Sequence, residues 1–426
     1  MLLKFSQKYL TIINKPYSIT NERNKYKTFD KRRNFCYNEN TQHPTFTTLQ
    51  SETIDWLRFP LVIFVIFIHS FGLPKIVNLR EINYSTLSGM DVYNIIRVVV
   101  RTIASICNSA FFLFSGYLFF FKTNIWNKEI YIKKIKTRIK TLLIPYILWN
   151  TINVIIHPVI IIGGRIVKGD GDWNRLLIFL DTLLKKGIWN IFLHYNTWGT
   201  NTNILGWPRP SMGPFSVPMW FLQTLIVLTL LTPIIYLICR YLKLYGIILL
   251  GLLYYTGIWF SIPGFSITAV FFFSLGAYFS ISNKNLIVEL RRYKLFWYII
   301  TALTLVPSVY FNNDGLTTYN YYSSVFIIAM IFSTINIVSR LLEKGKIKPN
   351  NLLSQATFFV YAIHPVLILG IVGMVFDIIF KGKNNPIILS IRYFSVPIIT
   401  AYLCVLIYAI MKKIMPKVLN LLSGNR

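Results

Sequence analysis

"DWLRFPLVIFVIFIHSFG", residues 55–72, is apolar enough to lie in a bilayer, yet it carries Arg58 near one end and His69 near the other. Both side chains are costly in hydrocarbon, so each needs a reason to be there. Working outward, about ten apolar runs alternate with polar connections. They are approximately Leu57–Gly72, Ile95–Phe121, Thr141–Gly163, Val217–Cys239, Ile247–Phe260, Ile267–Ile281, Phe296–Phe311, Tyr321–Val338, Ala356–Phe376 and Val396–Met411. A hydrocarbon core about 30 Å thick takes roughly 20 helical residues to cross. The 426-residue chain is 54% apolar, with a mean hydropathy of +0.53. It reads as an all-α, polytopic integral membrane helical bundle of about ten transmembrane helices.

The net charge of +29 is explained by where the cations fall. With the amino terminus in the cytoplasm, about 30 of the 44 Lys and Arg lie inside, roughly nine before Gln50 and seven from Lys122 to Lys140. About 11 lie outside, and Arg58, Arg97 and Arg101 lie within spans. The outer loops Ser261–Gly264 and Asn312–Asn320 contain no Lys or Arg. The excess is therefore a topology signal with both termini cytoplasmic, and no nucleic-acid partner is implied.

Residues 1–50 read as a basic, poorly ordered cytoplasmic tail. Its opening, "MLLKFSQKYLTIINK", breaks its apolar residues with Lys4, Gln7 and Lys8, which suits a short interfacial helix and not a cleavable signal. The membrane domain covers 51–417, and 418–426 is a short cytoplasmic tail. Cys36 lies in the first tail and Cys107, Cys239 and Cys404 in or beside spans, so neither a disulfide framework nor a metal site is suggested. The chain has no internal repeat, no HExxH or CxxC pair and no phosphate-binding GxxxxGK[ST] loop.

Two connections stand out. In "KTNIWNKEIYIKKIKTRIK", residues 122–140, Ile130, Ile132, Ile135 and Ile139 interleave with cations. That pattern fits a basic helix along the inner leaflet and equally a stop-transfer cluster. The outer segment 164–216 is far longer than a connection needs and carries Trp173, Trp189, Trp198 and Trp207 with His194, Asn196, Asn201 and Asn203. Indole faces stack on sugar rings and amides bond their hydroxyls, so a saccharide-binding lid is one reading; an interfacial aromatic belt is the other.

Arg58 and His69 are eleven residues apart, about 20° beyond three full helical turns, so both project along one face roughly 16 Å apart. That geometry suits a long ligand with an anionic head and a reactive tip, as in coenzyme A. Snorkelling at a helix end is the competing account of Arg58, and a satisfied structural role that of His69. A neutral imidazole, with an ordinary pKa near 6.5, is well matched to taking a proton from an alcohol during acyl transfer.

The stretch also resembles the first span of the acyltransferase 3 family, integral membrane acyl-transfer enzymes of cell-surface carbohydrates and related acceptors. The family shows a basic residue, ten intervening residues and a histidine, here Arg58 and His69. "NSAFFLFSGYLFF" from Asn108, with Phe111, Phe112, Ser115, Gly116 and Tyr117, resembles the second span, and "LLIPYILWN" from Leu142 the third. "VPMWFLQTL" from Val217, with Trp220 and Phe221, then "FSLGAYFS" from Phe273 and "FFVYAIHP" ending at Pro365 continue the series. The similarity runs from about Ser51 to Lys417, and the six motifs are weak singly and strong in order. It implies acyl-CoA as donor, His69 as catalytic base, and Arg58 in donor binding or positioning.

Arg97 and Arg101, four apart near the outer end of the second span, suit an anionic acceptor or lipid diphosphate, with snorkelling the alternative for Arg97. Asp55 either pairs with Arg58 or serves the helix start. His364 and Trp220 are candidate substrate-binding residues, with packing as their competing role. His157 and His194 lack a comparable constellation.

The expected function is O-acyl transfer, acetyl moving from cytoplasmic acetyl-CoA to a hydroxyl of a surface polysaccharide or its lipid-linked precursor. The setting is the cytoplasmic membrane of a bacterium, surrounded by membrane lipids. Acetyl-CoA is a co-substrate and no permanently bound cofactor or metal is implied. The rival class is a glycan transporter or flippase using the same cavity, whose translocation would survive loss of His69. A structural partner in a polymer-synthesis complex is a third. The sequence does not specify the oligomeric state.

Overall fold

The computed structural model describes residues 46–70, 78–123, 126–168, 174–311, 320–380, 382–383 and 385–425. Most of the first tail, with Cys36, and Trp173 and the 312–319 connection lie outside the described residues, as do the side chains of Trp198 and Asn201.

The quoted stretch lies in α1 (Phe46–His69). After it come α2 (Gly89–Ala104) and α3 (Ile106–Phe120), broken only at Ser105, then the basic α4 (Lys128–Arg138), α5 (Ile144–Lys168) and α6 (Asn174–Lys186). An antiparallel hairpin, β1 (Asn196–Thr202) and β2 (Pro208–Gly213), precedes α7 (Trp220–Leu230), α8 (Thr232–Leu237), α9 (Lys243–Thr256) and α10 (Ile267–Ile281). Helices α11 (Leu286–Arg292), α12 (Lys294–Tyr310), α13 (Tyr321–Glu343) and α14 (Asn351–Ile363) follow. The last are α15 (Leu369–Ile379), α16 (Pro386–Ile414) and α17 (Pro416–Ser423).

Local chemistry sets many of these boundaries. Ser88 and Asp91 form a reciprocal capping box at the start of α2. Asparagine side chains accept from the first turns of α4, α11, α13, α14 and α16, through Asn127, Asn285, Asn320, Asn350 and Asn385. Pro386 follows Asn385 at the first helical position, where its missing N–H costs nothing.

Among the described residues six helical stretches are long and apolar enough to cross a membrane: Gly89–Phe120, Lys128–Val159, Thr232–Thr256, Tyr321–Glu343, Asn351–Ile379 and Pro386–Ile414. Val217–Leu230, Ile267–Ile281 and Lys294–Tyr310 are shorter apolar helices. The outward faces are apolar too: Ile155, Val159, Leu303, Val306, Ile398 and Tyr402 are each more than half exposed. An apolar exterior around an apolar core is the pattern of a helical membrane protein.

The core is built around α1, which packs against α2, α3, α13, α14 and α16. Its buried positions Ile54, Leu57, Leu61, Val62, Val65 and Ile66 follow helical spacing and serve several neighbours at once. The closest crossing is α3 with α10. A Cβ on Gly116 would lie 1.9 Å from the Phe273 carbonyl oxygen, and one on Gly276 would lie 1.9 Å from that of Leu113. The backbones touch only because both residues are glycine.

Three segments differ from their sequence-based outlines. Helix α1 begins at Phe46 and buries Leu49 and Gln50, whose Oε1 accepts from the Leu286 N–H at 2.8 Å. Helix α4 continues through a π-helical turn, Ile139–Leu143, straight into α5, so the basic segment is the start of a long helix and not a separate surface element. Lys134 anchors it by donating to the Phe119 carbonyl. At the other end, α17 takes in residues beyond 417, buries Leu419 and Ser423, and accepts from Trp149 Nε1 at 3.0 Å through the Leu422 carbonyl.

The described residues of the Trp-bearing segment, from Asn174 to Ser216, are likewise folded. Asn196 Nδ2 donates to the carbonyls of Pro214 and Phe215 at 3.0 and 2.9 Å, and Gln223 Nε2 reaches the Leu193 carbonyl at 2.8 Å. The Ile204 N–H at the hairpin tip bonds the Thr256 carbonyl at 3.1 Å. Lys186 Nζ donates to the Tyr195 carbonyl and stands 4.4 Å from that ring's centroid, while burial pushes the Tyr195 phenol pKa upward.

Candidate active site

The carboxyl end of α1 faces a cavity of about 1290 Å³. His69 and Ser70 lie on its wall with Arg101 of α2, Asn108 of α3, and Asn153 and His157 of α5. The hairpin contributes Asn196 and residues Arg209 to Met212; α7 contributes Trp220 and Thr224. Pro365, Gly370, Gly373 and Arg392 close the side formed by the last helices.

Helix α5 presents Asn150, Asn153 and His157 at spacings of three and four, hence along one face. Asn150 is fully buried; its Nδ2 donates to the Tyr146 carbonyl at 2.8 Å and its Oδ1 accepts from the Ser216 N–H at 3.1 Å. Asn153 Nδ2 donates to Ser216 Oγ at 2.7 Å. These bonds hold the entry to α7, and so Trp220, against α5. The Trp220 ring is tilted on Phe112 at 6.2 Å. His157 packs on Phe179 and Phe215, with centroids 4.9 and 5.5 Å away.

His364 stands behind His69, fully buried, with ring centroids 5.5 Å apart. Pro365 interrupts the helix here and a π-helical turn, His364–Ile368, follows. His364 Nδ1 lies 3.1 Å from the Val360 carbonyl, which can only accept, so in the neutral ring the proton is on Nδ1 and Nε2 is an acceptor. Nε2 has no hydrogen-bond partner. The nearby Tyr361 hydroxyl donates to the Pro218 carbonyl, tying this turn to the start of α7.

The structure thus brings His69, Arg101 and Trp220 to one wall, with His364 directly behind it. Arg97 turns away from the cavity: it is 4% exposed, lies 5.8 Å from the Tyr93 ring centroid, and is covered by α16, whose Tyr393 hydroxyl meets the Arg97 carbonyl at 3.5 Å. Arg58 is not on the cavity wall either. It pairs with Asp55 at 2.8 Å, and both side chains are about one-third exposed.

Among the Trp residues proposed for the lid, Trp189 and Trp207 are 80% and 61% exposed and do not line the cavity. His194 is exposed as well, with Nε2 3.0 Å from Thr197 Oγ1. Polar hairpin residues take that place.

Asn108, Asn153, His157, Arg209 and Arg392 reach the wall without having been singled out as site residues. For Asn153 and His157 the signal was the one-face spacing with Asn150; Arg209 and Arg392 have no local signature. Arg392 donates Nε and Nη2 to the Asp377 carboxylate at 2.8 and 3.2 Å. No Asp or Glu is among the described residues lining the cavity, so its charged wall is made of arginines.

An acyltransferase domain model matches residues 51–410. Neither a curated protein nor a solved structure matches the chain. With ordered span motifs, an apolar helical exterior and His69 on a large cavity of mixed polar and apolar lining, this chain belongs to the acyltransferase 3 family and is a membrane acyltransferase.

Proposed function

We propose that the protein is an O-acyltransferase moving acetyl from cytoplasmic acetyl-CoA to a hydroxyl of a surface polysaccharide or its lipid-linked sugar precursor, with His69 as general base. The observation that carries this reading is His69 on the wall of a 1290 Å³ cavity otherwise rich in amide, hydroxyl and guanidinium groups. That volume exceeds the ~300–1,000 Å³ typical of a single small-ligand pocket, leaving room for a donor and an acceptor together.

In the reaction, one ring nitrogen of His69 takes the hydroxyl proton as the acceptor oxygen attacks the thioester carbonyl. The C–S bond then breaks and the proton passes to the departing thiolate. His364 orients the base. With its own proton committed to Val360, its Nε2 accepts the N–H of His69 once the two rings, 5.5 Å apart between centroids, close on substrate binding, and leaves the other His69 nitrogen basic. Catalytic hydrogen bonds commonly tighten only as substrate binds.

Arg58, roughly 16 Å along α1, holds the coenzyme phosphates in exchange for its ion pair with Asp55. Arg101 and Trp220 contact the acceptor. Both termini lie in the cytoplasm, about ten helices cross a bacterial cytoplasmic membrane, and the hairpin faces outward.

The test is proton NMR of surface polysaccharide, before and after mild alkaline de-esterification, from cells with the intact protein, His69→Ala at equal expression, or none. An O-acetyl signal present only with the intact protein supports the reading. Equal signals in all three overturn it.

A further inference from the structure

Residues 260–266, "FSIPGFS", lie between α9 and α10, and all of them but Pro263 line the cavity. The segment is held in one shape by its own chemistry. Pro263 and Gly264 are the central pair that a type II turn calls for, Gly264 takes φ +73°, and the Phe265 N–H closes the turn on the Ile262 carbonyl at 3.1 Å. Trp259 Nε1 donates to the Phe265 carbonyl at 3.0 Å, and its ring packs on Phe265 with centroids 5.1 Å apart. Phe260 lies nearly parallel to Phe265, centroids 6.3 Å apart and planes at 18°, yet it is 65% exposed. Ser261 and Ser266 follow the two rings in sequence, and Ser266 does not cap α10 with its hydroxyl. The hairpin tip meets the same region, through the Ile204 N–H on the Thr256 carbonyl at the end of α9.

Exposed apolar residues on the outside of this bundle are accounted for by lipid. Phe260 differs from them because it borders a cavity that also holds the amides of Asn108, Asn153 and Asn196 and the hydroxyls of Ser211 and Ser261. A flat ring of fixed orientation beside hydroxyl groups matches a pyranose, which has an apolar face of C–H groups and a rim of hydroxyls that both donate and accept. From this juxtaposition we infer that residues 260–266 form the acceptor subsite. One pyranose ring of the acceptor stacks on Phe260 while Ser261 and Ser266 bond its hydroxyls, an assignment that rests on the acyl-transfer reading of the cavity and adds to it the residues that hold the sugar. The turn and the Trp259 bond set the platform before the acceptor arrives, so little ordering cost falls on binding.

Equilibrium binding tests this without turnover. Oligosaccharides are cut from the de-esterified surface polysaccharide of cells lacking the protein and titrated, alongside coenzyme A, into full-length protein in nanodiscs. The proteins compared are the parent, His69→Ala, Phe260→Ala, Phe260→Leu and Phe260→Tyr. The expected result is that the parent and His69→Ala bind the oligosaccharides equally, that Phe260→Ala and Phe260→Leu weaken that binding by about tenfold, and that Phe260→Tyr keeps it, all with coenzyme A binding unchanged. Leucine keeps the bulk that a lipid or packing contact needs and loses the flat face. Parent affinity in Phe260→Leu or Phe260→Ala therefore overturns the inference, as does an equal loss in Phe260→Tyr. A loss confined to coenzyme A, whose adenine could also stack, overturns it, and so does a parent protein that binds none of the oligosaccharides. Failure of the catalytic reading is seen separately, as O-acetyl signals that are equal with the intact protein, His69→Ala and none.

Discussion

At the scale of single residues, two histidines have different surroundings, and the proposed reaction gives them different tasks. His69 reaches the cavity, whereas His364 is sealed behind it with one nitrogen committed to Val360, the other without a hydrogen bond, and its ring centroid 5.5 Å from that of His69. A buried acceptor left unbonded costs about 1–3 kcal/mol, and in the proposed reaction the N–H of His69 supplies its partner. Replacing the proposed base, His69→Gln, is expected to lower kcat by about 10²- to 10⁴-fold with KM for acetyl-CoA little changed, measured by transfer of radiolabelled acetyl. For His364→Asn the expected loss in kcat is smaller, about 10- to 100-fold, with both KM values retained and the pH–rate profile displaced. A purely structural role would lower the folded yield and leave that profile where it was. Arg58→Gln should raise KM for acetyl-CoA and spare acceptor binding; a change confined to the acceptor would remove Arg58 from the donor site.

The crossing of α3 and α10 governs packing at the scale of elements. Gly116 and Gly276 sit in the two motifs "FSGYL" and "FSLGAY", whose significance is steric: each glycine admits the other helix's backbone. Gly116→Ala and Gly276→Ala should each cost at least the ~1–3 kcal/mol of an overpacked core, because the clash is with a carbonyl and not with a side chain that can swing aside. Thermal unfolding in detergent measures this, and a transition unchanged from the parent protein would contradict the contact. The double variant should cost less than the sum of the two, since one separation of the helices relieves both clashes. The hairpin behaves differently. Its anchors are hydrogen bonds at its two ends, so Asn196→Ala should leave the unfolding transition nearly in place while weakening acceptor use.

For the whole molecule, the cation distribution leads to the proposed orientation, with basic α4 on the cytoplasmic side and the hairpin on the other. Single cysteines placed in a background without Cys36, Cys107, Cys239 and Cys404 test it with a membrane-impermeant maleimide on intact cells. A cysteine at Leu205, in the hairpin turn, should be labelled from outside, and one at Lys136 only after permeabilisation. The reverse pattern would invert the orientation and with it the assignment of donor and acceptor sides.

The sequence by itself determined the class of fold and singled out the helix whose His69 lies on the cavity wall. Apolar runs of membrane length, the Lys and Arg asymmetry and the Arg58–His69 spacing are properties of local composition and helical period, and none of the three needs a neighbour to be read. The functions of Gly116, Gly276 and His364 were visible only as motif letters. Their meaning is a contact between segments more than 150 residues apart for the glycines and nearly 300 for the histidines, which no local period encodes. Tertiary structure alone decided that Arg101 enters the cavity while Arg97, one turn away, packs against Tyr93 under α16. The four-residue spacing put both on one face, but α16 covers only part of that face. It also decided that the hairpin presents Arg209 to the cavity while Trp189 and Trp207 stay off its wall, because the hairpin is anchored on α7 and α9 by bonds made across the fold.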